Sequence, residues 1–105
     1  MIDIGLMRER VLIQSPRIEQ SPFGEATTEW VNVVEVWASV RGLNSREVLQ
    51  AQQANAIVTH VVRIRLLDEL THQHRLIWRG RILEISSLME RETRLIHEIM
   101  AREVA

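Results

Sequence analysis

Two histidines, His72 and His74, are separated by a single residue, a spacing that could bind a metal ion. In an extended segment, residues two apart point to the same side, so both imidazoles could contact one ion. Asp68 and Glu69 lie nearby in the sequence, but protein metal sites usually need three or four ligands and no third ligand can be identified. The chain has no cysteine, which excludes a thiolate site. We therefore favour a solvated polar turn and expect no cofactor.

The residue sets that hydrolases and phosphate-binding enzymes use are absent from the sequence. There is no Gly-x-Ser-x-Gly motif and no cysteine to pair with a histidine, and the four glycines are isolated rather than grouped in a phosphate loop. His60 and His97 fall on apolar faces of predicted strands, where a histidine is usually hydrogen-bonded and half-buried rather than a catalytic base. The sequence therefore predicts that the protein is not an enzyme.

All 13 basic residues are arginines, and two pairs of them could contact phosphate or acidic groups. Arg63 and Arg65 lie on the polar face of a predicted strand, and Arg79 and Arg81 flank a predicted turn. They could bind DNA or an acidic partner, but we favour a solvated face balanced by glutamates of neighbouring strands. The net charge of −1 lacks the positive excess typical of nucleic-acid binding, and aromatic residues for base stacking are scarce.

The elements that must position these residues are mainly strands with alternating apolar positions. The segment 75–85 has the clearest hairpin pattern, because a two-residue turn at Arg79-Gly80 pairs apolar residues with apolar residues and opposite charges with each other. The pairs in that register are Arg75 with Glu84, Leu76 with Leu83, and Ile77 with Ile82. The other predicted strands are Arg10–Gln14, Thr27–Val40, Val58–Leu66 and about Arg94–Val104.

Two segments lack a strand pattern. Residues 15–26 hold both prolines and a glycine, which predicts an exposed loop. Residues 44–56 are rich in helix formers, and Asn44 with Glu47 forms the start of a capping box. The apolar stripe of this predicted helix is narrow, so it gains little from packing on its own domain. It is either a loosely packed surface helix or a mobile segment that a neighbour fixes.

The whole pattern predicts a single domain over residues 1–105. We expect a mainly β fold, a small antiparallel barrel or sandwich of five to six strands with one short helix and long loops. Both faces of the 27–40 and 94–104 strands carry apolar residues, so a second subunit is expected to cover one of them. No apolar run is long enough to cross a bilayer, and residues 1–5 are too short and acidic for a secretion signal. We therefore expect a cytoplasmic product.

The order of short segments resembles the head–tail joining family of long-tailed phages and prophages, also described as head-closure or stopper proteins. The resemblance extends from about Gly5 to Val104. Leu83 departs from the pattern, because an aromatic residue is expected just before Glu84-Ile85. The matching segments are Gly5-Leu6-Met7-Arg8-Glu9-Arg10-Val11, the loop with Phe23-Gly24, Trp30, Val36-Trp37-Ala38-Ser39-Val40, the Gln-rich segment, Val62-Arg63-Ile64-Arg65 and Gly80-Arg81-Ile82-Leu83-Glu84-Ile85.

The resemblance implies a structural virion subunit without a catalytic motif. Such a subunit would form a ring, either as the free protein or only on assembly, between the portal or adaptor ring and the tail terminator or tail tube protein. It would close the DNA exit channel, and DNA would pass through without sequence-specific binding. An adaptor, a tail terminator and a nucleic-acid-binding small barrel remain alternatives. The candidate interface residues are Phe23, Trp30, Trp37, Leu49, Gln52, Gln53, Arg63 and Arg65.

Overall fold

A computed structural model of the chain describes residues 7–91 and 95–104. These residues form six strands and one helix: β1 (Glu9–Gln20), β2 (Ala26–Gly42), α1 (Ser45–Gln53), β3 (His60–Arg65), β4 (Arg75–Trp78), β5 (Arg81–Arg91) and β6 (Ile96–Val104). Two predicted features, the lead at Gly5-Leu6 and the start of the last strand at Arg94, lie outside the described residues. No helix in the described part of the chain has the length and apolarity that crossing a bilayer requires.

The strands pair in an antiparallel sheet that closes on itself, in the order β1-β2-β3-β6-β5-β4. The pairing of β1 with β4 closes the barrel, and it extends over a short stretch from Leu12 to Gln14. The predicted mainly β fold with one short helix is therefore confirmed, and of the two architectures expected it is the barrel.

The barrel interior holds one apolar cluster, to which every strand contributes. Alternation along the strands explains its composition, since alternate residues of a strand point to the same face. Val11 and Ile13 are fully buried, as the pattern of the first strand predicts. The remaining buried members are Ala38, Val62, Ile64, Leu70, Leu76, Trp78, Leu83, Ile99 and Ala101.

The β4–β5 hairpin has the predicted register. Arg75 pairs with Glu84, Leu76 with Leu83 and Ile77 with Ile82. Arg79 and Gly80 form the turn with φ angles of 50° and 76°, both in the left-handed region that a two-residue turn of the I′ kind requires. This confirmed hairpin supplies the β4 edge on which the barrel closes.

Helix α1 begins with the predicted capping box. The Asn44 side chain accepts from the Glu47 amide at 2.9 Å, and the Glu47 carboxylate accepts from the Asn44 amide at 3.0 Å. Arg41 also donates two hydrogen bonds to Glu47, at 2.6 and 2.9 Å, and this pairing lowers the pKa of Glu47 to about 2. The helix itself buries none of its residues. It is therefore attached to the barrel through polar contacts at its first turn.

The predicted loop over 15–26 is instead a continuation of strands β1 and β2, joined by a turn at 21–25. Proline at position 16 suggested a loop, since it cannot donate to a central strand. Beyond Gln14, however, β1 pairs with β2 alone, and such an edge position tolerates a proline. The segment is exposed, as predicted, but it is a regular two-stranded ribbon.

Candidate functional site

A two-stranded arm projects from the barrel and consists of residues 15–31. It lacks a third strand, because β1 pairs with β4 only up to Gln14 and β2 pairs with β3 only from Ala38 onward. Ile18 is 72% exposed and Phe23, in the turn, is 93% exposed. The molecule is correspondingly long, with extents of 51 × 30 × 25 Å. The arm thus presents open backbone edges and large apolar side chains to solvent.

Polar contacts give the arm its shape. Arg17 donates to Glu29 across the two strands. Two hydrogen bonds to Ser21 form the turn. The Ser21 carbonyl accepts one from the Gly24 amide at 3.0 Å, and the Ser21 hydroxyl accepts the other from the Glu25 amide at 3.1 Å. Gly24 has a φ of 85°, a conformation that a residue with a Cβ rarely adopts. The tip is therefore a defined turn that holds Phe23 in solvent.

The base of the arm is attached to the barrel by Arg75 of β4. Its guanidinium lies 4.2 Å from the centroid of the Trp30 ring, and its Nε donates to the Gln14 side chain at 2.8 Å. Gln14 in turn donates to Asn32 on β2 at 2.9 Å. Trp30, a predicted interface residue, therefore also anchors the arm within the chain.

An open groove of about 870 Å³ lies beside β2 where its pairing with β3 ends, and residues from the start of β1 and the end of β3 complete its lining. Trp37 lines it and is 55% exposed, with the Arg10 guanidinium 4.4 Å from its ring centroid. Leu66 and Leu67 supply another apolar side, and Arg65 lies at the end of β3 beside them. The structure thus brings two predicted residues, Trp37 and Arg65, into one concave surface.

The predicted residues on α1 lie apart from this groove, on an element that leaves the barrel between β2 and β3. Leu49 is 55% exposed, and Gln52 and Gln53 are exposed as well. Phe23 is likewise separate, at the tip of the arm. The sequence-predicted set is therefore divided among the arm, the groove and the helix.

The arginines considered for DNA binding mostly contact glutamates of neighbouring strands. Arg63 pairs with Glu98 at 3.3 Å, Arg79 with Glu9 at 2.6 Å, and Arg81 with Glu103 at 3.4 Å. Each of these guanidinium groups lies beside a carboxylate that offsets its attraction for phosphate. The arrangement matches the solvated, balanced face that the sequence favoured.

Two of the histidines accept structural hydrogen bonds from backbone amides. His97 is 5% exposed, and its Nδ1 accepts from the Leu67 amide at 3.1 Å. His74 Nδ1 accepts from the Thr71 amide at 3.1 Å. Among the residues that the structure describes, no three His, Cys, Asp or Glu side chains are grouped as a metal site requires.

Sequence reasoning missed most of the groove, because its lining comes from three separate segments of the chain. Arg10, Leu66 and Leu67 show no spacing in the sequence that links them to Trp37. The pairing of Arg10 with Trp37 across β1 and β2 could be found only once the register was known.

Several solved chains have folds similar to that of this protein. The solution structure of protein SF1141 from Shigella flexneri 2a has a TM-score of 0.84 and 28% identity, and the match covers 99% of this chain and 98% of that one. A chain from the virion of a native gene transfer agent particle has a TM-score of 0.63 and 17% identity, with coverage of 92% and 94%. No curated protein matches the sequence.

The sequence also matches a family model along nearly its whole length. The model describes the phage head completion protein, and the match covers residues 2–104. Its members are structural proteins of the virion and not enzymes. The chain therefore belongs to the phage head completion protein family, and it is a structural component of the phage virion with a role at the head–tail region.

Proposed function

We propose that the protein assembles into a ring between the portal or adaptor ring and the tail, where it closes the DNA exit channel and provides the surface on which the tail docks. The observation that carries this proposal is the arm, a ribbon with two open edges and exposed Ile18 and Phe23. A lone two-stranded hairpin is marginally stable in water, and open strand edges invite pairing with another chain. An arm of this kind is expected in a subunit whose neighbours cover it.

Helix α1 is the second element that we assign to assembly. It buries none of its residues, and the Arg41–Glu47 pair connects its first turn to β2. Because local stability depends on buried contacts, a segment with so few of them can change position at a low cost in free energy. We propose that residues 44–56 contact a partner ring or obstruct the channel, through Leu49, Gln52 and Gln53.

The charge distribution is compatible with a channel through which DNA passes. The net charge is −1, and Arg63, Arg79 and Arg81 lie beside carboxylates. A wall with little unbalanced positive charge holds DNA weakly, because phosphate contacts dominate nonspecific affinity. We assign Arg63 to subunit or partner contacts rather than to DNA.

The test removes the arm and leaves the barrel intact. Ser15 pairs with Val31 in β1–β2, so residues 16–30 can be replaced by Asn-Gly, the two-residue turn that hairpins favour. The buried core lies outside the deleted residues, so the variant should fold. We expect a folded protein that fails to join isolated portal–adaptor rings and yields particles that lose their DNA.

A second variant replaces residues 44–56 with a short Gly-Ser linker and is assayed in the same way. Circular dichroism and thermal unfolding control for folding in both variants. Unchanged virion assembly and DNA retention after either deletion would refute the role of that segment. Binding to the portal-side ring alone would indicate an adaptor, and binding to the tail tube alone would indicate a tail terminator.

A further inference from the structure

The arm tip combines an exposed aromatic ring with an unbalanced negative charge. Phe23 is 93% exposed, and Glu25 is exposed two residues later. Glu25 has no ion pair among the described residues, whereas Glu19 and Glu29 both contact Arg17. The tip therefore presents one apolar side chain beside one available carboxylate.

The groove between β1, β2 and the end of β3 has the complementary composition. Trp37, Leu66 and Leu67 form an apolar surface, and Arg65 lies exposed at its edge. Within the described parts of the chain, Arg65 has no carboxylate partner. The groove therefore offers an apolar site beside one available guanidinium.

The tip cannot enter the groove of its own chain. At roughly 3.3 Å per residue, the part of β2 between Ala26 and Trp37 holds the two about 36 Å apart. Bringing them together would break the β1–β2 pairing, which continues from Glu9 to Gln20. Only another molecule can supply a tip to this groove.

We propose that the arm tip of one copy binds in the groove of the next copy. Phe23 would lie against Trp37, Leu66 and Leu67, and Glu25 would pair with Arg65. Because the tip and the groove are different surfaces, the contact is head-to-tail, and repetition of such a contact closes a ring when the rotation allows it. This inference rests on the proposed ring and names the contact that would build it.

Loss of the aromatic side chain should weaken self-association strongly. A buried aromatic anchor at the centre of an interface typically accounts for a roughly 30-fold change in dissociation constant or more. We expect Phe23→Ala to weaken self-association by at least that factor, measured by sedimentation velocity over a concentration series. Association that is unchanged in Phe23→Ala would refute the contact.

Charge reversal tests the partners of the contact directly. Glu25→Arg places two arginines in the contact and Arg65→Glu places two glutamates there, so each variant alone should fail to assemble. In an equimolar mixture, an arginine tip meets a glutamate groove and a glutamate tip meets an arginine groove, so alternating rings should form. The control is Arg91→Glu, which makes the same charge change as Arg65→Glu on an exposed residue of β5, outside the arm, the groove and residues 44–56, and should assemble like the wild type.

The measurements are made on the full chain alone and with isolated portal–adaptor rings. Assembly restored only in the mixture supports the tip-to-groove contact. Assembly of both single variants, or no recovery in the mixture, would overturn this contact while the proposed ring still stands. A wild-type chain that assembles under neither condition would overturn the ring and the contact together.

Discussion

His97 is a buried residue that forms a hydrogen bond with Leu67, one of the residues that line the groove. Its ring is 5% exposed on β6, and its Nδ1 accepts from the amide of Leu67. Burial lowers the pKa of His97 below its usual 6.5, against the opposing influence of Glu90 and Asp68. The folded protein therefore favours the neutral imidazole, which is also the form that can accept this hydrogen bond.

Stability should consequently fall as the solution becomes acidic. In the unfolded chain His97 is protonated near pH 6.5, whereas in the folded chain it is protonated only at a lower pH. Protonation of His97 therefore favours unfolding. The stabilisation that comes from keeping His97 neutral is fully present above pH 6.5, and it is lost as the pH falls below that value. We expect chemical denaturation between pH 7 and 5 to show this loss in the wild type.

The variant His97→Gln keeps an acceptor for Leu67 but cannot titrate, so its unfolding free energy should vary less over this range. The matched control is His72→Gln, the same substitution at an exposed position of the turn before β4. Equal slopes for the wild type and His97→Gln would contradict this account of His97.

At the scale of elements, the β4–β5 turn shows how one backbone conformation fixes a register. Gly80 has a φ of 76°, whereas Gly42 at the end of β2 has no positive φ, and an added Cβ would meet nothing within 4 Å at either position. The two glycines therefore differ in backbone conformation and not in available space.

We expect Gly80→Ala to lower the free energy of unfolding by about 1 kcal/mol, because an L-residue in the left-handed region is strained. Gly42→Ala should cost nothing or stabilise slightly, since it reduces the entropy of the unfolded chain. Urea denaturation of both variants measures the difference. Equal free energies for the two variants would show that the turn conformation does not constrain this hairpin.

The elements that could be predicted are those with local signals. The turn at Arg79-Gly80 and the capping pair Asn44 and Glu47 are set by residues close in sequence, and both are confirmed. The arm could not be predicted, because Pro16 is incompatible with a central strand and nothing local shows that β1 is an edge at that point. The bulge between Ile13 and Gln14, where the register shifts, has no local signal either.

At the scale of the whole molecule, the barrel holds the buried core, whereas the arm and helix α1 hold exposed residues that we propose for assembly. The predicted family and the expectation of a non-enzymatic virion protein are confirmed by the family match over residues 2–104. The interface residues remain predictions. Phe23, Trp37 and Arg65 could be proposed as interface residues from their residue types. The groove that is proposed to bind the arm tip could not be predicted, because its lining comes from three segments that only the fold brings together.

We propose that this chain builds a ring at the head–tail region. The most direct measurement is the absolute mass in solution by light scattering, on the protein alone and mixed with portal–adaptor rings. We predict either a closed oligomer of the free chain or a monomer that joins the portal–adaptor ring on mixing. A monomer that binds no ring would contradict the claim.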